Sequence, residues 1–153
     1  VLYNALQTLT LDQCFQEDTY KQLDPYIAEL LFDQMNNHQV RQVSGLHISG
    51  KKADMGPKPV NGVNLALAEH NIDESFAWIG FSGGLNAAWP ALSERFGWKV
   101  PETMLVENKS EARPSRTTLD SDVFARIKQW NTFDFGLIHW VRDNMDRINA
   151  RKP

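Results

Sequence analysis

Phe76–Trp98 reads FAWIGFSGGLNAAWPALSERFGW, and its three parts decide which fold the chain is expected to adopt. Phe76 to Phe81 is a short apolar run, rich in aromatic and branched side chains, with the composition of a buried strand. Gly83 and Gly84 then break the chain. Leu85, Ala88, Trp89, Leu92 and Phe96 return on one side of a helix, and Gly97 stands where a C-terminal cap belongs. Strand, tight turn and helix form the layout on which α/β proteins mount their chemistry. The turn also fits G-x-S-x-G across Gly80–Gly84, the elbow that presents a hydrolase serine, here Ser82. A plain strand-to-helix connection that contains a serine explains the same residues, so both readings are carried outward.

The rest of the chain sets bounds. Its 153 residues suit one domain with a real core. Apolar content of 42% and charged content of 23% are ordinary for a globular protein. A net charge of −3 argues against a general nucleic-acid binder. Cys14 stands alone, so neither an internal disulfide nor a cysteine-rich metal site can form, and burial in the core explains it better than nucleophilic chemistry. A reducing, cytoplasmic compartment is the simpler expectation. No apolar run is long enough to span a membrane, and no secretory signal is visible. The start at Val1 reads as a processed end or a piece of a longer chain.

Upstream of the central stretch, Thr10-Leu11-Asp12-Gln13 signals a short helix with Leu11, Cys14 and Phe15 inward. Asp24-Pro25 is a stronger start, an N-cap carboxylate followed by proline at the first helical position. Ile27, Leu30, Leu31 and Met35 continue that helix to about Asn36-Asn37. Asn37 to Gly45 is polar with two valines. Residues 50–59 hold two glycines and two prolines and read as a mobile loop. Val60 to His70 resumes helix. Downstream, residues 99–118 form a long irregular stretch of the kind that tends to be functional. Asp120 then caps a helix through Val123, Phe124, Ile127 and Trp130. A last helix from Thr132 to Asn149 carries the stripe Leu137, Ile138, Val141, Met145 and Ile148. The sum is about six helices and one strand, whose backbone needs pairing partners from elsewhere.

Few constellations carry chemistry. A hydrolase elbow at Ser82 requires a later acid and histidine; His139 is the only downstream histidine, and it falls inside the last helix. His38, His47, His70 and His139 show no metal-ligand spacing with carboxylates. Lys109, Arg113 and Arg116, interleaved with Ser110 and Ser115, could hold a phosphate through charge-assisted hydrogen bonds, although Glu107 and Glu111 dilute them. No G-x-x-x-x-G-K-[ST] phosphate loop occurs.

The order of segments adds a further reading. Asn37-x-Gln39-x-Arg41 with Ser44-Gly45 comes first, then a helix ending in Asn64-Leu65-Ala66. Trp78-Ile79-Gly80 follows, then a helix closing on Phe96-Gly97-Trp98. After it come Asn108-Lys109-Ser110, Arg113-Pro114, Leu119 and the pair Asp134-Phe135. From about Val1 to Met145 this order resembles the C-terminal half of the carbohydrate-type sulfotransferases, which include the heparan sulfate 2-O-sulfotransferases and bacterial members.

The resemblance implies an α/β fold in which this chain supplies the C-terminal, mostly helical portion of a P-loop-like sheet protein. It would be a single domain or half-domain across 1–153, joined to an N-terminal half. It implies transfer of a sulfuryl group from 3′-phosphoadenosine 5′-phosphosulfate (PAPS) to a hydroxyl, on a sugar acceptor, with no metal. Lys109-Ser110-x-x-Arg113 looks like the family's K-S-x-x-R. Lys109, Ser110, Arg113 and Ser115 would then contact the donor from a lid spanning about 104–118, and Gln39 and Arg41 would face the substrate. The 5′-phosphosulfate loop, the 3′-phosphate motif and the base belong to the other half, so no catalytic residue is assigned here. Many relatives carry Thr-Glu where this chain has Ser82-Gly83, which makes Ser82 a turn residue on this reading. The Golgi lumen becomes the alternative location. A helical binding module without catalysis is a third reading, beside the transferase and the hydrolase.

Overall fold

The computed structural model describes residues 9–46, 58–100 and 119–151. Helices fill 74% of these residues, and no strand occurs among them. The α/β expectation is therefore corrected: the described residues form an all-helical assembly. The seven α-helices among them are α1 (Glu17–Gln22), α2 (Pro25–Met35), α3 (His38–Ser44), α4 (Gly62–Ser75), α5 (Leu85–Phe96), α6 (Ser121–Trp130) and α7 (Thr132–Asn149). Short 3-10 turns lie at Gln13–Phe15 and Ser82–Gly84. No described helix is long and apolar enough to cross a membrane.

Three helix starts follow from local chemistry. Asp24 accepts from the amides of Tyr26 and Ile27, with Pro25 at the first helical position. Asn61 and Asn64 form a reciprocal capping box at α4. Asp120 accepts from Asp122 and Val123 at α6. Gly97 closes α5 at φ +68°, a left-handed position that glycine occupies without a Cβ penalty.

The segment expected to be a strand, Phe76–Phe81, is extended at both ends but joins no ladder among the described residues; its backbone-to-backbone bonds are local, from the Phe76 N–H to the Ile72 carbonyl and from the Gly84 N–H to the Phe81 carbonyl. Ile79 instead exchanges two hydrogen bonds with the Asn149 side-chain amide, each 2.9 Å. Composition favoured the extended conformation, but a ladder needs a second chain beside it, and here the neighbour is the end of α7. The second departure is α3, unheralded by the sequence, and the third is α4, which runs on to Ser75.

The helices bury two apolar clusters. Val40, Val60, Ala68, Ile72, Leu137, Val141 and Ile148 join α3, α4 and α7. Cys14, Phe15 and Leu31 form the other, packed by Tyr20, Met35, Ile127 and Trp130. Ile72 and Ile148 are 2% and 0% exposed, and each such side chain contributes about 1.5–3 kcal/mol on burial. Cys14 is 4% exposed and burial raises its thiol pKa, the behaviour of a core residue. Between the two clusters runs a polar seam.

Candidate functional site

The seam is built from two helix breaks, Asn36-Asn37 between α2 and α3, and Asn131 between α6 and α7. Each break caps the helices of the other. The Asn37 Oδ1 accepts from the amides of Phe133 (2.8 Å) and Asp134 (3.0 Å), satisfying the first turn of α7. The Asp134 carboxylate accepts from the amides of Val40 (2.8 Å) and Gln39 (3.1 Å), satisfying the first turn of α3. The last carbonyls are treated alike. Trp130 O accepts from Asn36 Nδ2 (3.0 Å) and Asn37 Nδ2 (2.8 Å), and Met35 O accepts from Asn131 Nδ2 (3.1 Å). A bond from the Asn37 amide to Asn131 Oδ1 at 2.9 Å closes the lock.

This geometry demands a backbone that few residues accept. Asn37 sits at φ 48°, ψ 46°, and it is the only non-glycine with positive φ among the described residues. Asparagine tolerates that left-handed region better than other L residues do.

Arg41 stands beside the lock. It is 4% exposed, and its guanidinium donates to the Asn36 carbonyl at 2.7 Å, to Asn36 Oδ1 at 3.2 Å and to the Lys58 carbonyl. It also pairs with Asp33 at 3.6 Å and lies over the Phe32 ring. Burial pulls its pKa down, opposed by Asp33 and Asp134. His38 turns Nδ1 toward the Asp33 carbonyl at 3.1 Å, with the Asp33 carboxylate 3.8 Å away.

Of the residues assigned from sequence, Gln39 and Arg41 share α3 but face different ways. The Gln39 side chain is exposed and only its amide enters the lock. Arg41 points inward, and its donors are engaged by the chain's own carbonyls. Lys109, Ser110, Arg113 and Ser115 lie outside the described residues, as does most of the loop expected at 50–59. Ser82 is exposed in a 3-10 turn, no strand precedes it, and its hydroxyl bonds to no histidine among the described residues. His139 is exposed on α7. Among the described residues no group of three or more His, Cys, Asp or Glu is placed to hold a metal ion. Compared with family models, curated proteins and solved structures, the chain finds no match in any of the three.

The residues that sequence reasoning missed are Asn36, Asn37 and Asn131. The available signal was cap chemistry at both helix breaks, including an aspartate three residues after Asn131, but nothing local reveals that the caps are exchanged.

The lock carries a testable electrostatic signature. Burial raises the Asp134 carboxyl pKa despite the hydrogen bonds from Val40 and Gln39 that oppose the shift. Its folded pKa therefore exceeds its unfolded one, so between the two the folded state binds more protons. Its contribution to stability falls as pH rises through that window, and acidification relieves the cost. Asp73 behaves oppositely. Hydrogen bonds from Arg147, then Arg151, lower its pKa, so its contribution is present above the unfolded value and is lost as pH falls through the folded one. Carboxyl-carbon NMR titration should place the Asp134 midpoint above that of Asp73; the reverse order would refute the buried-acid account.

Proposed function

We propose that this chain is part of a sulfotransferase that moves a sulfuryl group from PAPS to a hydroxyl of a carbohydrate acceptor. The reading rests on the ordered sequence resemblance, and one observation supports it. Two of the resembling pieces, Asn37–Arg41 and Asp134–Phe135, lie far apart in sequence yet meet through the Asn37 and Asp134 side chains. Residues that meet to hold two helix pairs together account for a pattern spread so widely.

In the proposed reaction the acceptor oxygen attacks sulfur and a new O–S bond forms. The S–O bond to the 5′-phosphate breaks, 3′,5′-phosphoadenosine leaves, and the acceptor proton passes to a base outside this chain. Lys109, Ser110, Arg113 and Ser115 supply donors and positive charge to the nucleotide's anionic oxygens, where such groups act best when fixed in advance.

Calorimetric titration of 3′,5′-phosphoadenosine tests this in the longer protein that contains the chain. A charge-assisted hydrogen bond contributes about 1.5–3 kcal/mol, so Arg113→Ala should weaken binding roughly ten- to hundredfold. Lys109→Ala should cost less, because a solvated ammonium loses little on truncation. The 153-residue chain by itself should bind poorly, since it lacks a phosphate-cradling loop. Unchanged affinity in Arg113→Ala would remove the donor assignment, and a longer protein that neither binds the nucleotide nor transfers sulfate would remove the function. The inward commitment of Arg41 favours a second reading, a helical binding module without catalysis. Nucleotide binding without transfer would select it.

A further inference from the structure

The sequence holds a single Asn-Gly pair, Asn61-Gly62, and the fold places it at the head of α4. In such a pair the backbone nitrogen of the glycine can attack the side-chain amide carbon before it, because glycine carries no Cβ to shield that nitrogen. Both residues are exposed, and a Cβ at Gly62 would meet nothing within 4 Å, so the reacting atoms are open to solvent.

The cap holds these atoms out of line. Asn61 Oδ1 accepts from the amides of Val63 (2.9 Å) and Asn64 (3.3 Å), and the Asn61 amide donates to Asn64 Oδ1 (3.0 Å). With ψ at −179°, Cβ and the Gly62 nitrogen are staggered about the Asn61 Cα–C bond. A five-membered ring needs them nearly eclipsed. The chain is also held on both sides of that bond. Val60 is 7% exposed in the larger apolar cluster, the Lys58 carbonyl accepts from the buried Arg41, and Ala68 and Ile72 anchor α4 in the same cluster.

We propose that Asn61-Gly62 is a site of self-modification by deamidation, restrained by the α4 capping box and released when the first turn of α4 opens. The Gly62 nitrogen loses its proton and bonds to Asn61 Cγ. The Cγ–Nδ2 bond breaks, ammonia leaves with a proton, and an imide closes. Water then adds to either imide carbonyl, giving aspartate or isoaspartate at position 61 with no change of oxidation state. Aspartate caps a helix as well as asparagine does and keeps the start of α4. Isoaspartate adds a methylene to the main chain and draws the carboxylate away from the Val63 and Asn64 amides, uncapping a helix that belongs to the core. The modification therefore records how often α4 has opened. The proposal does not depend on sulfuryl transfer.

Peptide mapping by mass spectrometry tests it, on protein incubated at mildly alkaline pH either folded or in urea. Conversion at Asn61 should be about tenfold or more slower in the folded protein than in urea, since opening must break the cap first. Asn64→Ala removes the return bond of the capping box, so it should speed the folded reaction about threefold or more and leave the urea rate unchanged. Gly62→Ala should slow conversion in both states, because the added Cβ shields the attacking nitrogen. Equal rates folded and in urea would overturn the restraint, as would an Asn64→Ala protein that converts no faster than the parent. A folded protein in which another asparagine converts before Asn61 would overturn the assignment of the site.

Discussion

Asp134→Ala should destabilise the protein by about 3 kcal/mol or more, against about 1 kcal/mol for Asp120→Ala. Both aspartates accept two backbone amides at a helix start. Asp120 does so locally and in the open, at the head of its own helix α6. Asp134 does so for a different helix, at 9% exposure, so its removal leaves the Gln39 and Val40 amides without a partner where water cannot easily replace it. The loss is a large share of a typical folding free energy of about 5–15 kcal/mol. In a chain of this size it should lower Tm by roughly 6–12 °C, at about 2–4 °C per kcal/mol. Asn37→Ala should match it, for it removes the acceptor at α7 and places alanine at a positive φ. Asn37→Gly should recover about 1 kcal/mol of that by accepting the left-handed backbone. The double variant Asn37→Ala/Asp134→Ala should fall short of the sum, because the two side chains serve one lock. Thermal melts showing Asp134→Ala no worse than Asp120→Ala would dismiss the lock as a source of stability.

Arg41→Met should be nearly as damaging, by about 3–5 kcal/mol. The methionine keeps an unbranched apolar stem, but Asp33 loses its partner at 9% exposure and the Asn36 and Lys58 carbonyls lose a donor. Most of the cost comes from the stranded carboxylate, so adding Asp33→Asn should restore part of the urea midpoint. If the double variant is no more stable than Arg41→Met alone, the ion pair is not the source. The result also bears on function. A residue whose loss unfolds the α2–α3 junction will abolish any activity of the protein, so an inactive Arg41 variant is informative about substrate contact only if its fold is shown to be intact.

Much of the helical layout was legible in the sequence because it rests on local physics. Asp24-Pro25, Asp120 and Gly97 announce helix ends through groups within a few residues of the backbone they satisfy. The stripe Leu137, Val141 and Ile148 announces the buried face of α7 through its period alone. By contrast, α3 has seven residues, and although Gly45 closes its end locally, the amides of its first turn are held by Asp134, almost a hundred positions away, so no window along the chain contains the reason it starts. A helix that short is marginal by itself and exists because tertiary contacts satisfy its first turn.

The candidate site divides in the same way. The sequence alone singled out Gln39, Arg41, Lys109, Ser110, Arg113 and Ser115 by residue type and order. It could not say that Arg41 turns inward, since burial is a property of what packs around a residue. Phe76–Phe81 makes the same point about secondary structure. Its apolar, branched and aromatic composition set an extended conformation, which the ends of the segment adopt. Whether an extended segment becomes a strand depends on a second backbone within hydrogen-bond distance, and in this fold the group that reaches Ile79 is a single side chain, Asn149.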